Sequence, residues 1–252
     1  MLVLKTKADL EKMRIAGEIS VEALRVAKES VRAGVSTSYI DGRVRSYIVS
    51  RGAQPSFLGY NGFPAATCIS LNDEVIHGIP SGTVLSEGDI VSVDVGVIYK
   101  GFQGDNAATF AVGAISPEKT KLIEVTRECL FKAVSAAGKG GRVGDISSAV
   151  QTHAEENGFS VVRDFTGHGI GRELHEDPQI PNYGKAGRGA RLIPGMTFAI
   201  EPMINAGEKD VNILSNGWTV VTNDNRPSAH FEMTVAITEY ETEILTDWRG
   251  VL

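Results

Sequence analysis

Two aspartates, Asp94 and Asp105, constrain this chain more than any other pair of residues. They bound the segment Asp94-Val-Gly-Val-Ile-Tyr-Lys-Gly-Phe-Gln-Gly-Asp105. Ile90 to Val95, before and into it, is mostly β-branched, and Ala107 to Val112 is strand-like again. Gly101 and Gly104 allow a turn between, so the segment reads as a β-hairpin with one carboxylate on each arm. A carboxylate buried in an apolar strand is costly unless it is paired or holds a metal. Two on neighbouring strands repel unless a cation sits between them. The bland alternative is a pair of edge-strand acids facing water, the usual place for Asp.

The surrounding pattern decides between these readings. Thr6-Lys-Ala-Asp9 has the form of a capping box and opens a helix. Leu10, Met13, Gly17, Ser20, Leu24 and Ala27 recur at helical spacing until Gly34 ends it, and Ala16, Gly17 and Ser20 make a small, close-packing face. A second helix runs from about Ser36 to Ser50, with Ile40, Val44 and Ile48 on one side and Gly52 closing it. Pro55 to Pro64 is a loop, Thr67 to Leu71 a strand, Asn72-Asp73 a turn, and His77 precedes Pro80 in a further loop. The pattern then restarts. Ser116-Pro117-Glu118 begins a helix that ends near Gly138, with Leu122, Val125, Thr126, Cys129 and Ala133 on its buried face. A second helix spans Asp145 to Glu156 and stops at Asn157-Gly158. Ser160 to Arg163 is strand-like, Thr166 to Pro178 is a Gly/His-rich loop, and strands follow at Met196 to Met203, Trp218 to Thr222 and Phe231 to Ile237.

Gly88-Asp-Ile-Val-Ser-Val-Asp94 aligns with Gly195-Met-Thr-Phe-Ala-Ile-Glu201 at an offset of 107 (201 minus 94). Asp105 to Val112 echoes Glu232 to Ile237, and His77 before Pro80 echoes His175 before Pro178. The chain therefore reads as one catalytic domain, 1–252, of two α+β halves, about 6–112 and 116–245. They are related by a pseudo-two-fold on which the acids converge.

Strand alternation places every acid on a small, polar face. Ser92, Asp94 and Gly96 oppose Val91, Val93 and Val95; Asp105, Ala107, Thr109 and Ala111 oppose Phe110 and Val112. Thr197, Ala199 and Glu201 oppose Phe198 and Ile200; His230, Glu232, Thr234 and Ala236 oppose Phe231, Met233, Val235 and Ile237. The expected architecture is a curved antiparallel sheet with a polar pocket in front and helices behind. Four carboxylates in one pocket cannot all ionise without counter-charge. Two divalent cations supply it, and His168 offers a nitrogen. An oxygen-rich set with one imidazole suits Mn²⁺, Fe²⁺, Co²⁺ or Zn²⁺ in a catalytic site better than a closed structural zinc.

A net charge of -6 argues against a nucleic-acid binder with a basic surface. No apolar run approaches the length of a membrane span, and Met1-Leu-Val-Leu-Lys5 passes at once into charged helical sequence, without the form of a signal peptide. Cys68 and Cys129, with no CxxC, fit a reducing cytoplasm.

His168-Gly-Ile-Gly171, Asp94 with Asp105, Glu201-Pro202 and Glu232 together resemble type I methionine aminopeptidases, which have the pita-bread fold. The resemblance extends through Tyr60-Asn-Gly-Phe-Pro64, His77-Gly-Ile-Pro80 and Asn216-Gly-Trp218-Thr-Val-Val-Thr222. It implies removal of N-terminal methionine from nascent chains at the ribosome, with a small second residue preferred, by a water activated at two divalent metal ions. Asp94 would bind one metal through both oxygens, Asp105 and Glu232 would bridge the pair, and His168 and Glu201 would complete the other site. Glu201 would also shuttle the proton. His175 would hydrogen-bond the scissile carbonyl and His77 would steady the substrate near the new amine. Tyr60, Phe63, Cys68 and Trp218 would line the methionine pocket. A cytoplasmic monomer that binds neither nucleic acid nor membrane is implied.

Phe57, Phe63 and Leu174 depart from the best-known members and concern pocket shape, not the metal ligands. Without an N-terminal zinc-binding extension, and without a long insertion between the Asp105 and Glu201 strands, the sequence fits the short bacterial or organellar form. Xaa-Pro aminopeptidases and dipeptidases of the same fold are the alternative enzymes. They commonly carry an extra domain and a His four residues before the His168 position, where this chain has Asp164. A non-enzymatic binding protein on the scaffold would be expected to lack ligands, and all five are present. Of the rest, Cys68 could be a buried strand residue and Trp218 a hairpin cap. His153 is expected to face solvent and Cys129 to be core. His230 is either a partner of the metal ligands or ordinary packing.

Overall fold

Thr6 opens the first helix as its pattern requires. Its hydroxyl accepts from the Asp9 N–H at 3.2 Å and the Asp9 carboxylate accepts from the Thr6 N–H at 3.1 Å. The computed structural model describes residues 2–250. Four helices are α1 (Lys7–Ser30), α2 (Thr37–Ser50), α3 (Pro117–Ala136) and α4 (Val143–Glu156). The first ends at Ser30, short of Gly34, which turns beyond it at φ +85°. The fourth starts two residues before Asp145, because that carboxylate caps from inside the first turn, accepting the Arg142 N–H at 2.7 Å.

A nine-stranded antiparallel sheet carries the acids. Along its main path the strands run Gln54–Pro55, Ile90–Tyr99, Phe102–Ala111, Glu232–Ile237, Thr197–Ile200, Gly167–Gly169 and Glu176–Ile180. Cys68–Leu71 pairs with Ile90–Tyr99, and Thr242–Ile244 pairs with Glu232–Ile237. The first acid hairpin turns at Lys100 and Gly101, at φ 48° and 77°, the two left-handed residues a tight hairpin demands. Gly104 is not part of the turn. It pairs with Val97 inside the strand, and a Cβ there would lie 2.6 Å from the Ala16 carbonyl carbon of α1. The small face of α1 thus lies directly on the sheet.

Val91, Val93, Val95 and Val97 are fully buried on the helix side, as are Phe198, Ile200, Met233, Val235 and Ile237. Each large side chain of this kind contributes about 1.5–3 kcal/mol. Asn106 interrupts the apolar face. It donates to Ser20 Oγ at 2.8 Å, and Ser20 donates to the Val95 carbonyl at 2.7 Å, tying α1 to the hairpin.

The Gly88 N–H donates to the Val112 carbonyl at 2.9 Å, and the Gly195 N–H donates to the Ile237 carbonyl, also at 2.9 Å. Asp94 lies six residues past Gly88 (94 minus 88) and Glu201 six past Gly195 (201 minus 195). On the return strands the match fails: Asp105 is seven before Val112 (112 minus 105) and Glu232 only five before Ile237 (237 minus 232). The expected echo of Asp105 by Glu232 is out by two residues, one pleat, so both still face the pocket.

Several expected strands divide. The run from Met196 to Met203 leaves the large sheet at Glu201-Pro202, where proline offers no N–H. Met203–Asn205 joins a second sheet with Ser228–His230 and Ser160–Val161. Phe231 is the matching crossing, since Ser228–His230 belongs to the small sheet and Glu232–Ile237 to the large one. Glu201 and Glu232 therefore flank the points where two chain segments change sheets. Trp218 lies in the turn before Val220–Thr222, a strand of a third sheet. The expected Gly/His-rich loop is strand at both ends: Gly167–Gly169 carries His168, 170–175 turns, and Glu176–Ile180 follows. No helix among the described residues is long and apolar enough to cross a membrane.

Candidate metal centre

Backbone pairing sets Asp94 and Glu232 in one row. Cys68 pairs with Asp94, Asp94 with Ala107, and Ala107 with Glu232. Four strands thus present Cys68, Asp94, Ala107 and Glu232 side by side on one face. Asp105 pairs with Gly96, one pleat away on that face. Glu201 follows Ile200, which pairs with Met233, so it lies beside Glu232. His168 comes from the next strand, whose Gly169 pairs with Phe198. Ligand atoms of Asp105, His168 and Glu232 lie within 4.8 Å of one another.

Electrostatically the cluster is incomplete. Asp94 Oδ1, Asp105 Oδ1 and Glu232 Oε1 are buried without a hydrogen-bond partner. Burial, reinforced by neighbouring carboxylates, raises Asp94 and Glu232 well above the ordinary range; burial and Asp105 do the same for Glu201. Burial pushes Asp105 up to about 7. Burial, then His175, pushes His168 down to about 3, so its ring is neutral. His168 Nδ1 lies 3.0 Å from the Gly169 carbonyl. A carbonyl only accepts, so Nδ1 carries the proton and Nε2 presents a bare lone pair. That lone pair is 3.5 Å from Glu201 Oε1, which is likewise an acceptor once the carboxyl ionises. Two acceptors facing each other, beside three orphaned carboxylate oxygens, match a divalent cation. The donor set of four carboxylates and one imidazole matches first-row metals in a catalytic site.

The acids form one wall of a cavity of about 210 Å³. All eleven residues singled out in the sequence face it: the four acids Asp94, Asp105, Glu201 and Glu232, His168, His77, His175, Tyr60, Phe63, Cys68 and Trp218. Tyr60 Oη and His175 Nδ1 are 2.6 Å apart, and the His175 ring centroid is 4.2 Å from that of His168. Burial lowers His175 and, with His175, pushes His77 down to about 4, so both rings are neutral at pH 7. His77 sits at φ 57°, unusual for a residue with a Cβ and a recurrent feature of functional sites. Its ring stands edge-on to Phe165 at 5.8 Å and Trp218 at 6.3 Å, and Phe63 meets Trp218 edge-on at 5.1 Å. Phe57 and Leu174, the departures noted in the sequence, also line the cavity.

Asn61 lines the cavity without having been singled out, and Phe165 packs on His77. The only sequence signal for either is its place beside Tyr60 or the His168 segment. His230, left open in the sequence, is buried behind the cavity wall, with Nε2 3.7 Å from Glu201 Oε2. His153 does not simply face solvent: its Nε2 is 2.7 Å from Glu128 Oε2, joining α4 to α3. Cys129 is buried on α3, and Asp164 is exposed.

The description "Metallopeptidase family M24" fits residues 11–239 of this chain. A methionine aminopeptidase of Clostridium perfringens is 52% identical over 246 residues, 98% of this chain and 99% of that protein. Methionine aminopeptidase 1 of Bacillus subtilis is 49% identical over 246 residues, with the same coverage of 98% and 99%. The crystal structure of methionine aminopeptidase from Thermotoga maritima superposes with a TM-score of 0.96 at 46% identity, covering 98% of this chain and 100% of that one. Prolidase from Pyrococcus furiosus gives a TM-score of 0.80 at 26% identity, covering 97% of this chain but 65% of the prolidase.

Proposed function

The chain belongs to metallopeptidase family M24, with its pita-bread fold, and from that premise we infer that it is a metalloaminopeptidase that removes the N-terminal methionine of newly made polypeptides. One observation carries the reading: the acid row and the bare His168 nitrogen open onto a small cavity whose other walls are aromatic and thiol side chains. A polarizable methionine side chain suits that lining. Asp94, Asp105, His168, Glu201 and Glu232 would hold two divalent ions, Mn²⁺, Fe²⁺, Co²⁺ or Zn²⁺, which supply Lewis acidity and a water acidified toward neutral pH.

The remaining chemistry belongs to the side chains. Glu201, ionised when the ions are bound, would take a proton from water and return it to the departing amine. With the Tyr60 hydroxyl donating to Nδ1, His175 carries its proton on Nε2 and donates it to the scissile carbonyl as negative charge develops there. His77, fixed between Phe165 and Trp218, orients the substrate near the new amine. His77 and His175 both line a cavity of only about 210 Å³, which favours a small second residue. Tyr60, Phe63, Cys68 and Trp218 hold the methionine. The whole chain acts as one catalytic domain of two halves, 6–112 and 116–245, a cytoplasmic monomer meeting nascent chains near the ribosome.

A proline-specific reading is less well supported. Asp164 stands where those enzymes commonly carry a histidine, and the prolidase is 26% identical to this chain against 46% and 52% for two methionine aminopeptidases. The test is peptide cleavage by metal-loaded protein. Release of Met from Met-Ala-Ser with no attack on a Xaa-Pro peptide is expected; the opposite pattern overturns the assignment.

A further inference from the structure

His230 is the one imidazole near the acid row that the chemistry above leaves without a task. Its Nε2 is buried and has no hydrogen-bond partner. It points at Glu201, with 3.7 Å between Nε2 and Oε2. Among the described residues, only His168 and His230 bring a basic side-chain nitrogen within 4.0 Å of the Glu201 carboxylate. The two are not equivalent. His168 spends its ring proton on the Gly169 carbonyl and turns a bare nitrogen toward Oε1. It has nothing to donate to Glu201.

The backbone of His230 is held more firmly than its ring. Its N–H donates to Thr109 Oγ1 at 2.9 Å, and that hydroxyl donates back to the His230 carbonyl at 2.8 Å. Thr109 also meets Ser92 Oγ at 2.8 Å. Ser92 and Thr109 are paired residues of the strands that bear Asp94 and Asp105. The first acid hairpin therefore fixes where His230 stands relative to Glu201. The Glu201 backbone is anchored separately, by the Asn182 amide donating to its carbonyl at 2.9 Å.

We propose that His230 is a positioning residue: its Nε2–H donates to Glu201 Oε2 and turns the other oxygen toward the cation. This rests on the metal-centre reading above. The present separation is longer than a hydrogen bond, and closing it takes about half an ångström, within reach of a small side-chain rotation. An outer donor of this kind sets which lone pair of a ligating carboxylate meets the ion, and its loss typically lowers metal affinity about 10–100-fold.

The test compares wild type with His230→Leu, His230→Asn and His230→Gln, each as the full chain stripped with chelator. Mn²⁺ affinity is measured by titration calorimetry and metal-free stability by thermal denaturation. Leucine removes the donor, asparagine keeps an amide too short to reach, and glutamine reaches Glu201 with an N–H. Leucine and asparagine should weaken Mn²⁺ binding about 10–100-fold, and glutamine should restore it to within about threefold of wild type. The metal-free melting temperature of His230→Leu should not fall, because an unpartnered polar atom has been removed. If the leucine variant does not fold, the asparagine and glutamine pair decides alone. Wild-type affinity in the leucine or asparagine variant overturns the proposal, as does a folded glutamine variant as weak as asparagine. A wild type that takes up no Mn²⁺, Co²⁺ or Zn²⁺ overturns the metal-centre reading itself, and this proposal with it.

Discussion

Asp94 and Glu232 lie in one row of the large sheet with only Ala107 between them. Adjacent strands are about 4.8 Å apart, so the small middle residue leaves a gap into which both carboxylates and Asp105 can turn. Ala107 is fully buried, paired on one side with Asp94 and on the other with Glu232.

Replacing Ala107 with valine should therefore weaken metal binding at least about tenfold without removing any ligand. The added methyls should cost about 1–3 kcal/mol of stability, as overpacking does. Titration calorimetry with Mn²⁺, alongside thermal denaturation, checks both. Unchanged affinity in a folded variant would show that the row does not shape the site.

Asp105→Asn should separate activity from stability. Loss of this carboxylate should lower kcat/KM by at least about 100-fold, or some 3 kcal/mol of transition-state stabilisation. Sequence alone leaves the stability effect undecided. Burial in the folded state decides it: the carboxyl, pushed up to about 7, is forced to ionise among other acids at pH 8, whereas an amide is not. The metal-free variant should melt higher than metal-free wild type at pH 8, and the order should reverse when Mn²⁺ is added. A lower melting point in EDTA would contradict this.

Metal-free protein should lose stability as pH rises above about 6.5. The four buried carboxyls are raised, so the folded chain keeps protons that the unfolded chain has released, and their contribution is lost as pH rises through the folded values. The lowered imidazoles of His77, His168, His175 and His230 act in the other direction. Their contribution is present above the unfolded value of 6.5 and is lost as pH falls below it. Below 6.5 the two sets oppose one another; above it only the carboxyls remain. The slope should be about 1.4 kcal/mol per pH unit for each proton retained. Saturating divalent ion replaces those protons and should flatten it. Melting temperatures across this range, in EDTA and in Mn²⁺, give the comparison, and a flat metal-free profile would refute the account.

Tyr60→Phe deletes the hydroxyl 2.6 Å from His175 Nδ1 and little else. A hydrogen bond of this kind contributes about 1 kcal/mol, so kcat/KM on Met-Ala-Ser should fall about five- to tenfold. Most of the loss should appear in kcat, because the bond orients a group that acts on the developing charge. A pure rise in KM would instead mark Tyr60 as a wall of the methionine pocket alone.

The acids were legible because strand alternation is local. Asp94 shares a face with Ser92 whatever the neighbouring strand is, and the valines on either side need burial. The helices were legible for the same reason, to within a few residues at Ser30 and Val143, where local capping set the ends. The assignment of Gly104 to a turn failed because its cause lies in α1, far away in the chain: the strand makes room for Ala16. The Gly/His-rich segment looked like loop because glycine has low strand propensity, yet pairing with Thr197–Ile200 and Glu176–Ile180 holds Gly167–Gly169 extended, leaving 170–175 as the turn.

The sequence by itself determined which side chains carry the chemistry and which face of each strand they occupy, since both follow from residue type and a two-residue period. Only the tertiary structure decided how those faces meet. The pairing of Ala107 with Glu232 joins residues 125 apart (232 minus 107), and nothing local to either fixes that register. The crossings beside Glu201 and Glu232, and the approach of His230 to Glu201, likewise depend on which strands share a sheet. Register between distant strands is set by the packing of the whole core, which buries one face and leaves the other to hold charge.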